Sequence, residues 1–132
     1  MMRERSPYII AFFVMHALGC GGSHDGPRRY ELSGSVTYEG MSVSIGEIHF
    51  EPDASKGSMG PGTVAQIREG KYVTPRGKGT VGGPYIARLF VYDGRPKDES
   101  HAPLGNLVAG PFNVTLDVPD RDATHDFELP PN

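Results

Sequence analysis

The stretch from Gly83 to Gly94, "GPYIARLFVYDG", decides the fold class. Tyr85, Ala87, Leu89 and Val91 share one parity; Ile86, Arg88, Phe90 and Tyr92 share the other. Successive side chains of a strand point to opposite faces, so this alternation is a strand's period. Both faces are largely apolar, which predicts a strand in the centre of a two-layered β structure.

The flanking sequence repeats the pattern at short intervals. Upstream, "YELSGSVTYEG" puts Leu32, Val36 and Tyr38 on one parity, and Gly34 between them marks a bulge or a close backbone approach. Glu39-Gly40 reads as a tight turn, and in "GEIHFEPD" Ile48 and Phe50 alternate with Glu47, His49 and Glu51 until Pro52-Asp53 ends the run. "TVAQIREGKYVTP" predicts two short strands joined by a hairpin turn at Gly70, with Tyr72 packed back on the core. Downstream, "FNVTLDVPD" alternates Phe112, Val114, Leu116 and Val118 with polar residues, and Phe127 and Leu129 point together near the end. Ala54–Gly62, Pro75–Gly83 and Arg95–Asn106 lack periodicity and are expected to be loops, the first mobile and the last polar and mobile or disordered; these loops are the first candidates for contacts with a partner. About seven short strands, no amphipathic helix and frequent turn signals predict an all-β fold, a single antiparallel β-sandwich, with a barrel as the alternative.

Composition agrees. The 132 residues suffice for one domain, and 18 Gly and 12 Pro punctuate the apolar runs as turns would. The formal charge is −3 and the basic residues are not expected to collect into a patch, which disfavours a nucleic-acid partner.

The first residues follow another logic. Arg3 and Arg5 precede "YIIAFFVMHAL", an apolar run too short to span a bilayer, and small residues follow it. That is the layout of an export signal, assigned to residues 1–19. "ALGC" resembles a bacterial lipobox, with cleavage between Gly19 and Cys20 and acylation of Cys20, the only cysteine. Ala17 stands where a lipobox more often has Leu, Val or Ile; Ala17 and Gly19 also suit ordinary signal cleavage, which would release a soluble protein. Two or more acyl chains give a firm membrane anchor. Residues 20–29 then read as the lipidated cysteine and a flexible tether, and residues 30–130 as the β domain.

Candidate chemistry is sparse. His16, His24, His49, His101 and His125 lack metal-site spacing. Asp117, Asp120, Asp122 and Asp126 gather in "DVPDRDATHD", where oxygen ligands on one turn would make a weak Ca²⁺ site; the plainer expectation is a solvated turn whose aspartates bond backbone N–H groups. The sequence holds no "GxSxG" elbow, and "PRGKGTVGG" lacks the end of a phosphate-binding loop. No cofactor is expected.

"SGSVTYEGMSV", "GEIHFEP", "GKYVTP" and "GGPYIARL" together resemble the opening and middle of transthyretin-like, or carboxypeptidase-regulatory-like, domains. The likeness covers roughly Tyr30 to Leu129; Ser42 stands where that family often has Pro, and Ile86 begins an unusually apolar strand tail. With "GCGG" after a short signal, the chain also resembles small lipoproteins of planctomycete-type bacteria. The resemblance implies a sandwich serving as an accessory module for folding, adhesion or positioning. The expectation is a non-enzymatic, lipid-anchored envelope protein, held to a membrane through Cys20 and facing the periplasm or exterior, with an envelope protein or polysaccharide as possible partner. The alternative is a carbohydrate-binding module that stacks sugars on Tyr85, Tyr92, Phe90 or Tyr38.

Overall fold

A computed structural model of the chain describes residues 26–97 and 101–131. They are all-β, with strands β1 (Leu32–Tyr38), β2 (Met41–Ser42), β3 (Ile45–Pro52), β4 (Thr63–Arg68), β5 (Lys71–Val73), β6 (Gly83–Tyr92), β7 (Leu107–Val118), β8 (Ala123–Thr124) and β9 (Phe127–Leu129). Their hydrogen-bonded order is β2-β1-β5-β4-β3-β6-β7, antiparallel at every step.

Two Glu-Gly dipeptides turn the chain. Glu39 (φ 51°) and Gly40 (φ 77°) join β1 to β2; Glu69 (φ 50°) and Gly70 (φ 76°) join β4 to β5. Positive φ at both turn positions matches the right-handed twist of the strands they connect. The segment Ala54–Gly62 carries a 3₁₀ turn at Ala54–Lys56, capped by the buried Asp53 carboxylate, which accepts from the Ser55 N–H (3.1 Å) and hydroxyl (2.5 Å).

The sheet curls. β1 and β7 lie five steps apart in the strand order, so a flat sheet would separate them by about 24 Å at ~4.8 Å per step. Instead the Tyr38 and Phe112 ring centroids stand 5.8 Å apart. The concave side holds Leu32, Val36, Ile48, Phe50, Ala65, Ile67, Tyr85, Ala87, Leu89 and Phe127, all buried. Every one sits on the parity that its strand's alternation assigns to the core.

One part of the expected architecture is corrected. The strands are not antiparallel throughout: β8 and β9 run parallel to β1, on the side away from β5. This C-terminal strap is held by more than a ladder. Asp122 Oδ1 accepts from the Glu31 N–H and Asp126 Oδ1 from the Ser35 N–H, each at 2.8 Å. Between them the His125 N–H donates to the Ser33 carbonyl at 2.8 Å, and the Tyr72 hydroxyl donates to the His125 carbonyl at 2.6 Å. Gly34 lies beneath; a Cβ there would overlap the His125 carbonyl oxygen, so its role is close approach rather than a bulge.

A second correction concerns β6. It lies between β3 and the edge strand β7 rather than at the centre, and Ile86, Phe90 and Tyr92 on its outer parity are only half-buried. The edge itself is irregular. Gly110 and Pro111 of β7 face the single residue Phe90, and the Gly110-Pro111 bond is cis. A bulge and a residue without an N–H both discourage further pairing along an edge.

The 95–106 excursion between β6 and β7 is tied at its base. Asp93 accepts from the Arg95 N–H (2.9 Å), the Asn106 N–H (3.0 Å) and the Asn106 side-chain amide (2.8 Å), while the Gly94 N–H donates to the Leu104 carbonyl (3.0 Å). The Asn106 amide first, then the Arg95 N–H, hold the Asp93 carboxyl below its usual range.

Candidate functional site

The strand period that buries Ile48, Phe50, Tyr85 and Leu89 sends their neighbours to the convex face. There Glu47 lies between Phe90 of β6 and Gln66 of β4, and His49 lies between Arg88 and Val64. Cross-strand neighbours on one face stand about 5 Å apart, close enough to interact. Glu47 Oε2 is 3.2 Å from His49 Nε2, and its Oε1 accepts from the Gln66 amide at 3.2 Å. The His49 ring tilts against Phe90, centroids 5.1 Å apart. Arg88 pairs with Glu51 at 3.3 Å. Burial, and then the Glu47 charge, raise the Tyr92 phenol above its ordinary value. The result is an open, half-buried patch in which two aromatic rings two residues apart stand beside a carboxylate, an amide, an imidazole and a guanidinium.

The four aromatic residues named from sequence therefore divide. Tyr85 is wholly buried, and its hydroxyl accepts from the Val81 N–H at 3.0 Å. Tyr38 packs against the core beside Phe112. Only Phe90 and Tyr92 occupy the open face. Their side chains fix hydrogen-bonding groups next to apolar ring surface, a combination suited to binding polyhydroxylated or amphipathic ligands.

A second feature overturns an expectation. The basic residues do form a patch. Arg28, Arg29, Arg76 and Lys78 line one groove of about 880 Å³ together with Gly26, Pro27, Pro61 and Gly77. The two segments are distant in sequence but tied together by Arg29, whose guanidinium donates to the Gly79 (2.8 Å), Gly62 (3.0 Å) and Lys78 (3.0 Å) carbonyls. A two-way backbone pairing of Tyr30 with Thr80 continues the contact. Arg28 lies over the Tyr30 ring, 5.6 Å from its centroid. A smaller hollow of about 460 Å³, also lined by Arg29 and Lys78, reaches His49, Glu51 and Val64 and so joins the groove to the open face.

The aspartates named from sequence do not gather. Asp122 and Asp126 are engaged with β1 backbone, Asp117 lies on β7 opposite Pro84, and Asp120 borders a hollow with Arg28, Arg29, Tyr30, Arg121 and Asp122. The Ser35 N–H first, then its hydroxyl, hold the Asp126 carboxyl below its ordinary value. Among the described residues no three His, Cys, Asp or Glu side chains come together as a metal site would require. Among the described residues, too, no helix is long and apolar enough to cross a membrane. Residues 1–19, expected from sequence to be an export signal, and Cys20, the expected acylation position after Gly19, lie outside the described residues. Of the three loops named as candidate binding elements, Ala54–Gly62 and Pro75–Gly83 contribute to the cationic groove, whereas no described residue of Arg95–Asn106 does.

No family model matches the chain, and no curated protein or solved structure matches it either.

Proposed function

We propose that this chain is a non-enzymatic envelope protein, exported by residues 1–19, acylated at Cys20 and presenting its curled sheet as a binding module. On this reading the sheet is a sandwich of the transthyretin-like type, and its open face carries the ligand contacts. The observation that carries the binding role is the Phe90–Tyr92 row beside Glu47, Gln66, His49 and Arg88: large, half-buried aromatic rings next to fixed polar groups on a strand scaffold. The core cluster on the concave side is built without either ring. The same row favours a polysaccharide as the ligand, since sugar rings present both apolar faces and hydroxyls. Glu47 and Glu51 on that face work against a nucleic-acid partner.

A panel of immobilised glycans and extracted envelope polysaccharides tests the reading. The parent chain is expected to retain a subset, and Phe90→Ala with Tyr92→Ala to lose it by tenfold or more, as hot-spot aromatics do. Binding that survives both substitutions would remove the open face from the account.

A further inference from the structure

We infer that the groove lined by Arg28, Arg29, Arg76 and Lys78 docks on anionic phospholipid headgroups, holding the domain against the membrane that anchors it. The inference rests on the anchoring reading, which supplies the membrane, and adds to it a second, electrostatic contact.

Three observations carry it. The chain is acidic overall, at −3, yet four of its 13 basic residues line one groove that no carboxylate lines. Arg29 is fixed by three carbonyls, while Arg76 and Lys78 are exposed and enter no ion pair among the described residues. Guanidinium groups match phosphate oxygens in geometry as well as charge. Finally, Gly26 and Pro27 line the groove themselves, so the chain that leads back to Cys20 leaves from the groove. Cys20 precedes Gly26 by six residues, a span of at most about 20 Å when extended. An acyl group on Cys20 therefore keeps these cations within reach of the headgroups. A soluble acidic polysaccharide or free phosphate would meet the same charges without being held nearby.

The test uses the processed chain, residues 20–132, carrying Cys20→Ser, so that neither the apolar export segment nor an acyl group holds it to the bilayer, in sedimentation with phosphatidylcholine vesicles that contain or lack phosphatidylglycerol. We expect preference for the anionic vesicles, abolished by high salt. Each cation contributes about fivefold in affinity at such a surface, so Arg76→Glu with Lys78→Glu should cut the preference by well over tenfold. Arg68→Glu with Lys71→Glu changes the net charge equally on the β4–β5 hairpin and should keep most of it. Equal losses in the two pairs, no preference for anionic vesicles, or capture of polygalacturonate or inorganic phosphate in place of vesicles would each overturn the inference. Failure of the anchor itself is read separately, as an unmodified Cys20 in chain isolated from cells, and leaves the vesicle comparison intact.

Discussion

Replacing Tyr72 by Phe removes one oxygen atom and leaves the ring among Phe50 and Phe127, whose centroids lie 5.9 and 5.7 Å away. Tyr72 is 4% exposed, and its hydroxyl is the donor to the His125 carbonyl in the strap that runs alongside β1. Without it that carbonyl loses a buried partner, which costs about 1–2 kcal/mol. For a domain of this size such a loss lowers Tm by about 5–10 °C. A second signature is alkaline. Burial, and then the Asp126 charge, hold the phenol far above its ordinary value. The unfolded phenol ionises near ~10, so its share of stability is complete below that pH and is lost as pH rises above it, by at most about 1.4 kcal/mol per pH unit. Tyr72→Phe lacks this share, so the gap between parent and variant should narrow above pH ~10. Urea unfolding at neutral and alkaline pH measures both effects, with an unchanged m-value as the check on two-state behaviour. A variant within about 0.3 kcal/mol of the parent at neutral pH, or a gap that stays constant into alkali, would refute the role given to this hydroxyl.

Other consequences follow from the same contacts. Asp126 and Asp93 both have carboxyls held below their ordinary values, so the stability they supply is full above the unfolded value and is lost as pH falls through the lowered folded one. Asp126→Asn should therefore flatten the acid side of the stability profile, read by unfolding between neutral and strongly acid pH. Glu69→Asn should stabilise by about 0.5 kcal/mol, because Asn tolerates the left-handed region that Glu69 occupies at φ 50°; thermal unfolding checks it. Gly34→Ala should destabilise by about 3 kcal/mol or displace the strap, since its Cβ would meet the His125 carbonyl; amide exchange of His125 and Phe127 would show which.

Much of the fold is legible in the sequence because burial of one strand face writes a local pattern. Ile48 with Phe50, Ala65 with Ile67, and Tyr85 with Leu89 alternate in the chain as they alternate between core and solvent. The same signal does not say whether the other face is covered. Ile86, Phe90 and Tyr92 read as a second buried face, but among the described residues they are only half-buried, with the His49 ring set against Phe90. Long-range contacts leave no local trace. Asp122 and Asp126 each bond a backbone N–H 91 residues away, so an apparent acidic cluster resolves into two separate clamps. The cationic groove joins residues 28–29 to residues 76–78 through Arg29, whose bonds span 33 to 50 residues. The dibasic pair and the "PRGKG" loop were visible separately; only the fold places them together.

The proposal of an anchored, outward-facing module stands or falls on the chemistry of one sulfur. Mass spectrometry of the amino-terminal peptide, taken from chain recovered in the membranes of the cells that make it, reads that chemistry directly. The expected peptide begins at Cys20 and carries a diacylglyceryl thioether, whereas a peptide that still begins at Met1, or one with a free Cys20 thiol, would contradict the account.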